Sequence, residues 1–260
     1  MGYMIQIFNE DCFETMKRIN GVDIVLTSPP YNINCNIRGF KMYDEYRDTK
    51  TENEYVEWTT SLFKEFDRII SPNGVVLYNL SYSHELPNLI WKVLANITSE
   101  TCWNTVETIT WKKPNATPNN SRQSLTRICE LVFVFARDNE IKTFNINKHL
   151  VDKKGHGKTF YNTTFYNFIE APNNDGVNWL NKATYSTSLC KQLLNMYAPS
   201  NCLVYDPFMG TGTTAVACKE MDLNCYGSEL SKEQVDFALK RIGQAIVDDK
   251  MVKFSFGDLI

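Results

Sequence analysis

Short apolar runs alternate with stretches of helical period along most of the chain. Val22–Thr27 (VDIVLT) is a compact β-rich run that stops at Ser-Pro-Pro, where proline removes the N–H donors a ladder needs. From Glu54 to Ile70 the apolar positions Tyr55, Trp58, Leu62, Phe66 and Ile69 recur at helical spacing and predict one buried helix face. Ser71-Pro72-Asn73-Gly74 breaks that helix, and Val75–Leu80 predicts the next strand. Leu86–Ile97 predicts a helix, and Val106–Trp111 and Glu130–Ala136 predict strands. Later come a strand at Cys202–Tyr205, a helix at Thr213–Met221 and a strand at Asn224–Gly227. Ser231 and Gln234 are spaced as a capping box for a last helix running to about Val247. Strands alternating with helices predict an α/β sheet.

Lys142–Ala183 fits that alternation badly, being rich in Asn, Lys, Phe and Tyr with Gly155, Gly157 and Gly176. A segment of that length without regular pattern inside a domain is usually functional. It reads as an insertion, since about 40 residues make a poor independent core.

Composition narrows the class. The 260 residues are 43% hydrophobic and 22% charged, which excludes a disordered tail, a collagen and a disulfide mini-protein. No apolar run approaches the roughly 18–20 residues of a membrane helix, and MGYMIQIFNEDC lacks the features of a secretory signal. Gln6 stands where a lipidation motif needs Ser or Thr. The expectation is a soluble cytoplasmic protein. None of the eight cysteines is spaced as C-x-x-C and only three His are present, so they read as buried apolar residues in a reducing compartment, with no metal site.

Net charge is −3, yet two basic islands stand out. Trp111–Arg127 carries Lys112, Lys113, Arg122 and Arg127 with no acid, and Lys142–Lys158 carries five Lys against Asp152 alone. Positive islands in an acidic chain are the footprint of a phosphate-binding face, although any single charge run is more often a solvated surface.

Two motifs carry chemistry. Asp206-Pro207-Phe208-Met209-Gly210-Thr211-Gly212-Thr213-Thr214 follows a strand and opens a helix. Its glycines permit close backbone approach and the helix start offers free N–H groups. No Lys follows, which excludes a P-loop. Glu229, at the end of the next strand, is placed to hold ribose hydroxyls, so a nicotinamide or any other adenosine cofactor fits. Thr27-Ser28-Pro29-Pro30-Tyr31-Asn32 ends the first strong strand, a position facing the ligand crevice in an open sheet. Pro29 and Pro30 stiffen the backbone, so the Ser28 side chain and the Pro29 carbonyl present nearly fixed acceptors beside the Tyr31 ring. Two rigid acceptors and a stacking ring suit a planar heterocycle with an amino group.

Together, strand-Thr-Ser-Pro-Pro-Tyr-Asn early and strand-Asp-Pro-Phe-x-Gly-x-Gly-Thr-Thr late resemble the DNA exocyclic-amino methyltransferases, the N4-cytosine/N6-adenine family. Catalytic motif before cofactor motif is the order of its permuted β group. Asn9-Glu10-Asp11-Cys12 is similar to the family's Gly-Asp-Cys start, and Thr110–Asn115 and Glu130–Ala136 to its middle strands. The resemblance implies a Rossmann-like S-adenosylmethionine-dependent fold, a mostly parallel twisted sheet with helices on both faces and circularly permuted motif order. It implies one catalytic domain over 1–260, with a target-recognition insertion at about 138–183. Family precedent puts Asp11 at the adenine of S-adenosylmethionine, Glu229 at its ribose, and Phe208, Gly210, Gly212 and Thr213 around its methionine part. Cys12, Asp206 and Thr211 join the expected cofactor set. The chain departs from the family at Asn181-Lys182-Ala183-Thr184-Tyr185-Ser186, where a His-Pro-Ala-x-Phe-Pro-like stretch is usual.

The implied reaction is methyl transfer to the exocyclic nitrogen of a base flipped out of double-stranded DNA. Ser28, Pro29, Pro30 and Tyr31 form the expected catalytic turn. Lys112, Lys113, Asn119, Arg122, Lys142, Lys153, Lys154 and Lys158 form the expected DNA-binding set. A small insertion predicts a short recognition site, and a homodimer is one way to widen the footprint. Ser at position 28 is the form most associated in this family with cytosine N4, whereas Pro-Pro-Tyr-Asn is familiar among adenine N6 enzymes. The expectation leans narrowly to cytosine. Rival readings are an RNA or protein-glutamine methyltransferase and a DNA-binding relative without catalysis.

Overall fold

The computed structural model describes residues 3–32, 50–82, 86–116, 118–120, 122–152, 159–161, 164–176, 184–243 and 251–255. Strands β1 (Met4–Phe8), β2 (Val22–Thr27) and β3 (Ile70–Leu80) are separated by helices α1 (Cys12–Met16) and α2 (Glu52–Ile69). Helix α3 (Leu89–Glu100) leads to β4 (Trp103–Lys112) and β5 (Cys129–Arg137). Beyond them lie β6 (Leu150–Asp152), β7 (Thr159–Tyr161) and β8 (Phe168–Glu170). The chain continues through α4 (Thr187–Tyr197), β9 (Leu203–Asp206), α5 (Thr213–Glu220), β10 (Asn224–Ser228), α6 (Lys232–Arg241) and β11 (Met251–Ser255).

Nine strands form one sheet in the order β11-β1-β10-β9-β2-β3-β5-β4-β8. Only β5 and β11 run against the other seven. The expected mostly parallel α/β sheet is therefore present. Both faces are buried, which is why the central strands are almost continuously apolar. In β2, Ile24 and Leu26 face the layer holding Leu189, Leu193, Ala215 and Ala238. Val22 and Val25 face the layer of Met16, Phe63, Phe66 and Val93. Strand β5 repeats the alternation, with Val132 and Val134 on one side and Phe133 and Phe135 on the other.

Helix α2 starts at a full capping box between Thr51 and Glu54, and α6 starts at Ser231, whose hydroxyl accepts from the Gln234 N–H. The Ser71–Gly74 break ends α2 but lies within β3. Its register against β2 jumps from Val22↔Ile70 to Ile24↔Val75, and Asn73 takes φ +63°. The four residues form a bulge rather than a loop.

The stretch without sequence pattern contains more order than its composition suggests. Segments β6 and β7 pair as a small antiparallel ribbon, and β8 joins the main sheet parallel to β4. The Asn145 and Asn147 N–H groups donate to the carbonyls of Asn73 and Met196. Lys153, Lys154, Lys158, Asn181–Ala183 and Val247 lie outside the described residues.

Candidate active site

The two chemical motifs leave the carboxyl ends of β2 and β9, neighbouring strands at the centre of the sheet. From β9 the next strand, β10, lies on one side; from β2 the next, β3, lies on the other. This is the switch point at which open α/β sheets bind ligands.

A cleft of about 950 Å³, its open mouth included, lies there. Of the expected cofactor residues, Asp11, Cys12, Phe208, Gly210, Thr211, Thr213 and Glu229 line it; of the expected catalytic turn, Ser28 and Pro30 do. Asp206, Gly212, Pro29 and Tyr31 do not.

Asp206 lies beneath the cleft as a structural node. It is buried, and its Oδ1 accepts from the Thr27 hydroxyl at 2.8 Å and the Phe208 N–H at 3.0 Å. Its Oδ2 accepts from the hydroxyls of Thr214 at 2.5 Å and Tyr185 at 2.9 Å. Burial pushes the carboxyl above its ordinary range, and these hydrogen bonds act in the opposite sense. Burial, then the Asp206 charge, pushes the Tyr185 phenol well up, so Tyr185 acts as a neutral donor. Asp206 thus holds the turn instead of facing a ligand. Gly212, at φ +84°, lies against α6, where a Cβ would fall 2.6 Å from that of Ala238.

Glu229 meets the glycine turn directly. Its carboxylate accepts from Gly210 N–H at 2.9 Å and Ser231 N–H at 2.8 Å. Asp11 caps α1 by accepting from Phe13 N–H at 2.8 Å. Arg241 braces the turn from behind, donating to the Thr211 carbonyl at 3.0 Å and the Thr213 hydroxyl at 3.2 Å. Its other nitrogen pairs with Asp175 at 2.8 Å. Trp58 on α2 supplies an apolar wall, its ring 5.6 Å from that of Phe208.

Around the catalytic turn, Ser28 Oγ lies 3.0 Å from the Tyr31 hydroxyl and 3.2 Å from Asn79 Oδ1. The Tyr31 hydroxyl lies 2.7 Å from Asn79 Oδ1 and 3.1 Å from Glu130 Oε2. The Tyr55 hydroxyl donates to the Pro30 carbonyl at 2.7 Å, and buried Asn32, at φ +57°, exchanges two hydrogen bonds with the Lys50 backbone. These contacts hold the turn on both sides.

The expected DNA-binding residues separate. Asn119 and Arg122 are exposed on the loop between β4 and β5, at the cleft end of the sheet. Lys112 reaches Glu170 at 2.7 Å. Lys113 pairs with Glu130 and lies over the Trp111 ring, so it belongs to the cluster around Tyr31 and Asn79 rather than to an open surface. Lys142 follows β5 beside the start of β3, at the opposite end of the sheet from Ser28. Adjacency in sequence to the basic segment does not carry it to the cleft.

Trp58, Asn79, Glu130, Tyr185 and Arg241 escape the sequence reading. Asn79 and Glu130 do leave a trace, each a polar residue inside an apolar strand. Among the described residues no group of His, Cys, Asp and Glu could hold a metal, and no helix is long and apolar enough to cross a membrane.

A family model described as DNA methylase matches residues 22–240. The Type II methyltransferase M.BglII of Bacillus subtilis is 26% identical over 265 residues, covering 91% of this chain and 68% of that protein. Among solved structures, PvuII DNA methyltransferase (cytosine-N4-specific) superposes with a TM-score of 0.70 at 17% identity, covering 93% of this chain and 87% of that one. The M1.HpyAVI–SAM complex gives 0.63 at 23% identity, covering 92% and 98%. The two structures share the fold, while the family match takes in the catalytic turn, the glycine turn and the strands between them. The chain therefore belongs to the DNA methylase family and is an S-adenosylmethionine-dependent methyltransferase.

Proposed function

We propose that the chain transfers a methyl group from S-adenosylmethionine to the exocyclic amino nitrogen of cytosine, N4, in double-stranded DNA. The observation that carries this is the opening of Ser28 and the glycine turn onto one cleft, with Thr27 and Asp206 joined beneath it.

The cleft suits the cofactor. Its described lining includes Glu10, Asp11 and Glu229 and neither Lys nor Arg, which favours a cationic sulfonium over the pyrophosphate of a dinucleotide. Glu229 would hold the ribose, Asp11 the adenine end, and Phe208 with the Gly210–Thr213 turn the methionine end. The bound cofactor supplies a methyl group already activated by its sulfonium. Ser28 Oγ and the Pro29 carbonyl accept hydrogen bonds from the target amino group, drawing its nitrogen toward tetrahedral geometry and freeing a lone pair otherwise conjugated with the ring. Alignment of that lone pair is the chief task, and such positioning is worth roughly 7–11 kcal/mol. The half-buried Tyr31 ring offers a stacking surface for the flipped base.

Exposed Asn119 and Arg122 face DNA at the cleft end, and the part of the 138–183 segment beyond Asn147 reads the site. The Type II name of the relatives supports a role beside a restriction enzyme. Ser28 at the head of the turn favours cytosine.

Labelled methyl transfer to unmethylated duplex DNA, followed by nucleoside identification, tests this reading. N4-methylcytosine is expected. N6-methyladenine as the sole product overturns the choice of base and keeps the chemistry. 5-Methylcytosine overturns the mechanism, because ring-carbon methylation needs a nucleophile that this turn does not offer.

A further inference from the structure

The hydrogen-bond cluster behind Ser28 can be counted proton by proton. Among the described residues it contains two hydroxyl protons, those of Ser28 and Tyr31, and each hydroxyl can donate only once. Two oxygens in it only accept. Asn79 Oδ1 is turned toward both hydroxyls because the Asn79 amide nitrogen donates to the Leu131 carbonyl at 3.1 Å. Glu130 Oε2 faces Tyr31 because its other oxygen is paired with Lys113. Asn79 is 3% exposed, so its orientation is set by protein rather than water.

The arrangement that gives each acceptor a proton sends both protons inward: Tyr31 donates to Glu130 and Ser28 donates to Asn79. The side of Ser28 Oγ facing the cleft is left with lone pairs alone. We propose that Asn79 and Glu130 are positioning residues that jointly make Ser28 an obligate acceptor, so that the site takes a base with an amino group and rejects the same ring carrying an oxo group. A cytosine or adenine presents N–H to Ser28, whereas a uracil or hypoxanthine presents a second lone pair.

The two acceptors back each other up. With Asn79 removed, Ser28 still donates to Tyr31 and Tyr31 to Glu130. With Glu130 neutralised, both protons still find Asn79 Oδ1, which has two lone pairs. Only when both are lost can the Ser28 proton turn into the cleft.

The inference rests on the amino-transfer reading, and its test separates the two. Wild type is first shown to methylate an amino base. Equilibrium binding is then measured, in the presence of S-adenosylhomocysteine, to duplexes mispaired at the target position and carrying there either the amino base or its oxo counterpart. Asn79→Ala and Glu130→Gln alone should each leave the amino-over-oxo preference within roughly fivefold of wild type. The double variant should narrow it by roughly 10- to 100-fold, a more than additive loss. Tyr31→Phe with Asn79→Ala cuts the same chain at its middle and should behave alike, which keeps the test open where one pair fails to fold. A structural defect would weaken both duplexes and leave their ratio alone. An unchanged ratio in the double variants, or its full loss in either single variant, overturns the proposal. A wild type that methylates no amino base overturns the functional reading instead.

Discussion

The Thr27 hydroxyl donates to Asp206 Oδ1 at 2.8 Å, a buried contact between residues 179 apart in sequence. Thr27 ends β2 and Asp206 ends β9. Each precedes one of the two turns that open onto the cleft, so this bond fixes the Ser28–Tyr31 turn relative to the glycine turn. Removing it with Thr27→Val, a nearly isosteric change, leaves Asp206 three other donors. The expected cost is about 1–2 kcal/mol in urea unfolding. The single-turnover rate should fall while cofactor affinity, read by calorimetry, stays near wild type. A fall in affinity with an unchanged rate would show that the bond serves the glycine turn alone.

The buried Asp206 carboxyl also gives stability a pH dependence. Its folded-state pKa lies above the ordinary 3.8, chiefly through burial. The folded protein therefore holds that proton more tightly than the unfolded chain. Its contribution is fully present below about pH 3.8 and is lost as pH rises through the raised native value. Asp206→Asn should remove this component, so the difference in urea midpoint between variant and wild type should shift in favour of the variant as pH increases over that window. A pH-independent difference would mean that the hydrogen bonds cancel the burial.

Much of this was legible in advance, and the reasons differ by element. Strand β2 coincides with its predicted bounds because five apolar or β-branched positions, interrupted only by Asp23, stop at Ser28 and two prolines. Strand β1 (MIQIF) is too short to speak for itself and is defined by pairing with β10. Helix α4 carries Leu189, Leu193 and Met196 at helical spacing, but it follows a stretch with no pattern, which hides its start at Ser186. At the site, sequence identifies the two turns yet not what braces them. Tyr185, Arg241, Asn79 and Glu130 act through contacts 21 to 99 residues away, which no local spacing encodes. Asp206 looked like a ligand contact because it heads the motif; its four donors show why an acid is needed there.

Gly210 has φ +53° and its N–H donates to Glu229. A branched side chain is strained at that angle, and its bulk would enter the cleft beside the carboxylate expected at the ribose. Gly210→Val should weaken S-adenosylmethionine binding by about tenfold or more. Wild-type affinity in folded protein would defeat the placement of the cofactor.

Ser28→Ala removes one acceptor and leaves the Tyr31 hydroxyl bonded to Asn79 and Glu130 behind it. The methylation rate should drop roughly 10- to 100-fold, with cofactor affinity unchanged. A wild-type rate would place the chemistry elsewhere.

Arg122 and Lys113 both belong to the basic run that suggested DNA contact, but the structure gives them different surroundings. Arg122 is exposed on the loop at the cleft end of the sheet, where a guanidinium can meet a phosphate and release a counterion. Lys113 is 13% exposed and its charge is already met by Glu130, so engaging a phosphate would cost it that partner. In a titration of DNA affinity against salt, Arg122→Ala should lower the slope of log K by about 0.9 and weaken binding similarly across sequences. Lys113→Ala should leave the slope unchanged, because Glu130 rather than a phosphate meets the Lys113 charge. Equal loss of slope in both variants would put Lys113 on the DNA face after all and detach Glu130 from its proposed role. Loss of slope in neither would move the phosphate contacts away from the loop between β4 and β5.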